Sequence, residues 1–211
     1  MEQTPELEPS SVKALMDLAN LSLAFGRVDR VTCHPDGMTP ESDTDHTVML
    51  GLVACAFAER FVPELDRGLV AQFALVHDLV ETYAGDTPTA HIMTAADHAG
   101  KEEREAAALA RIRAEFDTEL PWIGETIDAY ESLATPEARF VKVMDKTLPK
   151  MVNIFNDGVT FRRQGNDRTS GQAFLDHQHA KIREGYGSDQ AAAMTLLERV
   201  GEEMMSAIFP E

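Results

Sequence analysis

The sequence predicts an all-α protein on three observations. Apolar residues recur at helical spacing along most of the chain, β-branched runs are short, and Gly- and Pro-containing breakers separate the helical patterns. At 211 residues the chain fits one domain, since a chain of this size buries roughly 70% of its unfolded surface. The expected unit is residues 1–211, with a core at about 10–156 and a C-terminal helical extension at about 157–211.

After a polar start through Pro9, Ser10 or Ser11 can cap a first helix whose apolar stripe is Val12, Leu15, Met16, Ala19 and Leu23. It ends near Gly26. A loop from Arg27 to about Asp45 follows, with the turn formers His34-Pro35-Asp36-Gly37 and Thr39-Pro40-Glu41-Ser42, and loops of this length are often functional. The second helix, about Asp45 to Phe61, is apolar on nearly every side, so it is expected to be central and to carry His46 inside. A third helix runs from about Glu64 to Ala84 and stops at Gly85, a good C-terminal cap. Surface helices are expected at Lys101 to Phe116 and Pro121 to Leu133. Thr135-Pro136-Glu137 marks the next start, with a capping hydroxyl, Pro at the first helical position and an acid favoured by the helix dipole. Ser188 begins a last helix with the stripe Ala191, Met194, Leu197, Val200, Met204 and Ile208. The count is six or seven helices and no strand.

Composition narrows the function. The formal charge of -17 argues against a nucleic-acid partner, because that binding neutralises phosphates with Lys and Arg. A small anion would need a metal or a local cluster of cations to bind against this field. No apolar stretch reaches the roughly 18 residues of a membrane span, and the first residues lack a basic and apolar leader, so the expected compartment is the cytoplasm. Cys33 and Cys55 lack CxxC spacing and suggest neither a disulfide framework nor a zinc site.

The chemistry gathers in the apolar helices. His77 and Glu81 stand one turn apart on a shared face, and Asp78 lies about 100° further round, all within Phe73-Ala74-Leu75-Val76 and Leu79-Val80. So polar a set in so apolar a helix requires paired charges or a bound cation. Asp145 interrupts a stripe of Val141, Leu148 and Val152, either as a ligand or as the partner of Lys142 or Lys146. Pro149 lacks the N–H that would bond its carbonyl, so the helix should kink or loosen there. Two imidazoles and two carboxylates, His46, His77, Asp78 and Asp145, suit a divalent ion such as Mn, Co, Zn, Fe, Ni or Mg. Such a site leaves positions for water and a phosphate oxygen, a hydrolytic arrangement.

These residues resemble the HD-domain phosphohydrolases, whose signature is an isolated His, a later His-Asp pair and a distant Asp. The likeness is nearest to the branch holding bacterial 5′-deoxynucleotidases and deoxynucleoside triphosphohydrolases, including phage-type dATP enzymes. Asp45-His46-Thr47, His77-Asp78-Leu79-Val80-Glu81, Gly85-Asp86-Thr87-Pro88-Thr89 and Glu137-Ala138-Arg139-Phe140-Val141-Lys142 before Asp145 carry it, over about Leu15 to Asn156. The resemblance implies an HD-domain helical bundle with a central metal site, often a homodimer or higher homo-oligomer. It also implies a small-molecule deoxynucleotide substrate, with no nucleic-acid or membrane partner. Glu81 would activate water. Asp86 would orient water or contact the sugar, or else only cap the next segment.

Arg27 resembles the family's substrate-binding arginine, whose planar fork suits phosphate, and Lys142 could reach a phosphate beside the metal. Arg30, Lys146 and Lys150 are further candidates. Val28 and the long loop depart from the 5′-deoxynucleotidases, which typically carry an aromatic residue after the first Arg, so base and phosphate preference stay open. His34 could line the pocket or be a turn residue. His91, His98, His177 and His179 are expected on the surface. Two other readings stand beside deoxynucleotide hydrolysis: an HD hydrolase of another phosphorylated metabolite or alarmone, and a catalytically silent nucleotide-binding regulator.

Overall fold

A computed structural model describes residues 7–87 and 94–210. Helix α1 (Pro9–Phe25) begins with Pro at its first position after Glu8; Ser10 and Ser11 lie inside its first turn rather than capping it. Ser11 donates instead to Glu119 at 2.7 Å. The helix buries Ala14, Leu21 and Phe25, while Leu15, Met16 and Leu23 of the expected stripe are 51–69% exposed. The helix is apolar on two faces, so periodicity identifies it without selecting the face that packs.

The expected loop holds a small antiparallel hairpin, β1 (Asp29–Cys33) and β2 (Pro40–Ser42), with Asp29 opposite Ser42 and Cys33 opposite Pro40. Its turn is set by Asp36, whose carboxylate accepts from the backbone of Met38 and Thr39, and by Gly37 at φ 67°. The more buried side chains of these strands include Arg30 and Glu41, both charged. No alternation of apolar and polar residues therefore announces the strands.

Ser42 then caps α2 (Asp43–Phe61) in a reciprocal capping box with Asp45, a device that typically contributes ~1 kcal/mol. This helix buries His46, Leu50, Ala54 and Ala58, but Val48 and Leu52 lie exposed, so it is not enclosed on every side. Helix α3 (Arg67–Val76) is capped by Asp66 and is separate from α4 (Glu81–Ala84). Between them the hydrogen bonds tighten to three-residue spacing, as in Leu79 N–H to Val76 and Glu81 N–H to Asp78. The expected continuous helix is thus broken at His77-Asp78, and the tighter winding lets both side chains enter one cluster. No Gly or Pro marks that break in the sequence.

Helix α5 (Ala95–Phe116) starts earlier than expected through a Thr94/Asp97 capping box, and α6 (Trp122–Glu131) follows. Helix α7 (Pro136–Phe155) starts at the expected Thr135 cap and continues through Pro149. Beyond it lie α8 (Val159–Arg163), α9 (Arg168–Ile182), one π-helical turn (Arg183–Gly187) and α10 (Ala191–Ile208). The helix count exceeds the six or seven expected because the break after Val76 and the segment after Asn156 add elements. Ile182, Met194 and Leu197 join the same apolar core as Leu50, Phe73 and Phe140, so the C-terminal segment packs directly on the helices that carry the chemistry. Among the described residues no helix is long and apolar enough to cross a membrane.

Candidate metal centre

Four side chains from three parts of the chain converge: His46 of α2, His77 and Asp78 after α3, and Asp145 of α7. One ligand atom from each lies within 4.8 Å of all the others. His46 Nε2 is 3.0 Å from Asp145 Oδ1, and His77 Nε2 is 2.9 Å from Asp78 Oδ2 and 3.9 Å from Asp145 Oδ1.

The imidazoles are oriented from behind. His77 Nδ1 lies 2.8 Å from the Ala74 carbonyl, which can only accept, so Nδ1 carries the proton. In the neutral ring the lone pair of Nε2 then faces the cluster. Buried beside two carboxylates, that nitrogen has no hydrogen-bond partner among the described residues. A lone pair turned towards carboxylate oxygens is repulsive unless a cation lies between them, so the donor set fits a divalent ion. On His46, Nδ1 sits 3.3 Å from Glu41 Oε1, and Glu41 also accepts from the Thr32 hydroxyl. A carboxylate behind a ligating imidazole fixes its tautomer and raises its basicity. The hairpin delivers this group, and it is itself anchored by Asn156, which donates to the Cys33 carbonyl at 2.9 Å.

Burial and charge act in opposite directions across the cluster. Burial alone would lower the His46 pKa, but Asp145 and Glu41 outweigh it and push it up to about 9. Burial resists ionisation of Asp78 and Asp145, yet the neighbouring imidazoles, with Arg30 beside Asp78 and Lys146 beside Asp145, hold both well below the usual carboxylate range. For Glu81 burial wins, reinforced by Asp78, Asp86 and Asp43, and its pKa rises to about 10. Asp43 is raised to about 6, chiefly by burial.

The cations are distributed unevenly. Arg30 donates to Asp78 at 2.9 Å and to Asp43 at 3.1 Å, and Lys146 lies 2.8 Å from Asp145 Oδ2. Arg27 is exposed. Lys142 pairs with Glu131 at 3.2 Å and covers the ring of Tyr130, which meets the His77 ring edge-on. Asp86 is half-buried, and burial raises its pKa against the attraction of Arg30. His34 lies 3.4 Å from Asp45. His98 is half-buried rather than on the surface. So is His179, which packs on Gly201, while His91 lies outside the described residues. Glu41 and Asp43 are not apparent as site residues in the sequence, because both stand in what reads there as a loop. The turn formers around them are the only local signal.

Two cavities flank the cluster. One of about 440 Å³, mostly apolar, lies between Cys33, Val48, Leu52 and Phe155 and meets the cluster only through Glu41. The other, about 80 Å³, includes Asp145 itself and Arg30 in its wall. Direct contact with a candidate ligand makes the smaller one the relevant space for chemistry.

Comparison with known proteins supports this geometry. The chain is 30% identical over 115 residues to the 5′-deoxynucleotidase hdd1 of Schizosaccharomyces pombe, a stretch covering 51% of this chain and 54% of that protein. The chain thus spans about half the length of the curated relative it matches. A predicted metal-dependent phosphohydrolase from Magnetospirillum magnetotacticum MS-1 shares the fold with a TM-score of 0.71 at 27% identity, covering 95% of this chain and 100% of that one. A conserved hypothetical protein from Pyrococcus furiosus has a TM-score of 0.59 at 24% identity over 90% of this chain and 98% of its own, a likeness of fold alone. Residues 27–187 match the HD domain, further towards the C-terminus than the motif resemblance reaches. That span holds every donor of the cluster together with the helices that brace it, and the chain belongs to the HD-domain family.

Proposed function

We propose that this protein is a divalent-metal phosphohydrolase that releases the deoxynucleoside from 2′-deoxynucleotides by cleaving the 5′ phosphoester. The observation that carries the reading is the convergence of four donors within 4.8 Å, with the His77 tautomer fixed from behind. The named activity of the Schizosaccharomyces pombe relative supports the substrate class.

His46, His77, Asp78 and Asp145 would hold the ion. When bound, it supplies Lewis-acid polarisation of phosphoryl oxygens and acidifies water. Glu81, buried next to Asp78 with Oε2 free of any hydrogen-bond partner among the described residues, would take the proton of the attacking water as a carboxylate, the form a cation held by the four donors would favour by offsetting the repulsion from Asp78. Arg30 and Lys146 offset negative charge on the phosphoryl oxygens, and Asp86 orients water or the sugar beside Arg30. The water oxygen bonds to phosphorus as the bond to the 5′ oxygen breaks. That oxygen leaves as the deoxynucleoside hydroxyl, taking up the proton that Glu81 received from the water, and the other product is phosphate or triphosphate. Arg27 and Lys142 would act only on parts of the substrate further from the ion.

The test is chromatography of products after metal-stripped protein meets deoxynucleoside mono- and triphosphates with Mn, Co, Zn, Fe, Ni or Mg restored in turn. We expect metal-dependent release of deoxynucleoside, abolished in a His77→Ala variant whose circular dichroism is unchanged. Full turnover by that variant, or no deoxynucleoside with any metal, overturns the reading.

A further inference from the structure

The smaller cavity extends from Asp145 between α7, α9 and α10. In a chain with 36 acidic and 19 basic side chains, its wall carries Arg30, Lys146 and Lys150 and a single acid, Asp145. Lys146 and Lys150 are one turn apart on α7, so they follow each other away from the cluster. Lys150 is only 4% exposed. Its ammonium donates to the Lys146 carbonyl at 2.8 Å and to Gln178 Oε1, both uncharged acceptors, and no carboxylate pairs with it among the described residues. A buried cation satisfied only by neutral groups keeps most of its desolvation cost and gains an anion readily. At about 80 Å³ the cavity is far below the roughly 300 Å³ at which pockets for drug-sized ligands begin, so it suits a compact anion and not a nucleoside.

We propose that this cavity is a second phosphoryl site, organised by Lys150 with Lys146 and Gln178, that receives the phosphoryl groups beyond the scissile one. Deoxynucleoside triphosphates, rather than monophosphates, are then the favoured substrates. The assignment rests on the phosphohydrolase reading. Lys146 and Arg30 serve the phosphoryl group at the cluster, while Lys150, a turn further on, meets the leaving polyphosphate. The site binds the tail and takes no part in bond breaking.

Two measurements on the full-length chain test this. Calorimetry with tripolyphosphate and, separately, inorganic phosphate reads the anion site without catalysis. We expect tripolyphosphate to bind the more tightly, and Lys150→Met to weaken it roughly tenfold or more, the scale of a lost charge-assisted hydrogen bond. Gln178→Glu, at a half-buried position, pairs Lys150 internally and should weaken tripolyphosphate similarly without removing a core group. The second measurement is kcat/KM of the metal-loaded enzyme on a deoxynucleoside triphosphate and the matching monophosphate. Lys150→Met should lower the former about tenfold more than the latter. Equal losses on both substrates overturn the tail assignment, and with Lys150-dependent tripolyphosphate binding they reassign the cavity to a free inorganic anion. Tripolyphosphate binding unchanged in both variants overturns the site while leaving the hydrolase reading intact. Lys150-dependent binding in a protein that hydrolyses no nucleotide would sink the hydrolase reading and the substrate preference with it, leaving only the anion site.

Discussion

On the side of Asp145 facing α2 and α3, the groups around the cluster are imidazoles and carboxylates, each held by a neighbour: Glu41 behind His46, the Ala74 carbonyl behind His77, Arg30 beside Asp78. On the side facing α9, the groups are Lys146, Lys150 and Gln178 with the apolar Phe161 in the same cavity wall, and among the described residues Lys150 has only neutral acceptors. The first side is a braced donor set of the kind that holds a divalent cation. The second is a buried amine whose partners among the described residues are neutral. A single helix, α7, supplies Asp145 to one and Lys150 to the other, so the two kinds of site are adjacent.

The sharpest way to break this contrast is at Glu81, which we assign as the proton acceptor of the braced side. Glu81→Gln keeps shape and removes basicity, and kcat should fall about 10²–10⁴-fold with metal content unchanged by elemental analysis. Undiminished turnover would remove Glu81 from the mechanism. A smaller effect is expected at Glu41→Gln, which leaves all four donors but slackens the brace on His46. Metal affinity, read by competition with a chromogenic chelator, should drop about 10–100-fold. An unchanged affinity would mean that the hairpin carboxylate plays no part in orienting the ring.

The cation side has the smallest expected signature, in stability. Burial, with the adjacent Lys146 adding repulsion, lowers the Lys150 pKa from 10.5 to about 7, against the attraction of Asp145. The charged form is thus disfavoured in the fold. The penalty is complete below about pH 7 and fades as pH rises towards 10.5. His179, whose own pKa is lowered by burial and by Lys150, faces the same side and adds to the penalty only when protonated. Lys150→Met should therefore raise the melting temperature by a few degrees at pH 6, relative to the unsubstituted chain, and by less at pH 10. A gain that does not shrink with rising pH would show that the ammonium is not strained by burial.

The same contrast explains what could be read from the sequence. His46, His77, Asp78 and Asp145 stand out because each is a polar residue inside an apolar helical stripe, a conflict visible without coordinates. Glu41 does not, because the strand that aims it has no apolar alternation, and Arg30 is a candidate cation in the sequence without any sign there that it holds Asp78 and Asp43. The α1 helix is predictable in extent but not in its buried face, since Leu15 and Leu21 are equally apolar and only tertiary contact buries Leu21. The break after Val76 leaves no Gly or Pro signal because convergence on the cluster imposes it. The wall that α9 adds to the cation cavity is least legible: the sequence places a helical extension at about 157–211, but α9 carries no continuous apolar stripe that would show which face packs.

The four donors come from segments widely separated along the chain: the start of α2, the break after α3 and the middle of α7. An ion shared among them would act as a reversible cross-link, closing large loops whose entropy the unfolded chain otherwise keeps. Resistance to heat then depends on free metal concentration by mass action, rising as RT ln(1 + [M]/Kd). The melting temperature of a preparation becomes a gauge of how fully it is loaded, and two batches of identical sequence can differ in it without any difference in folding.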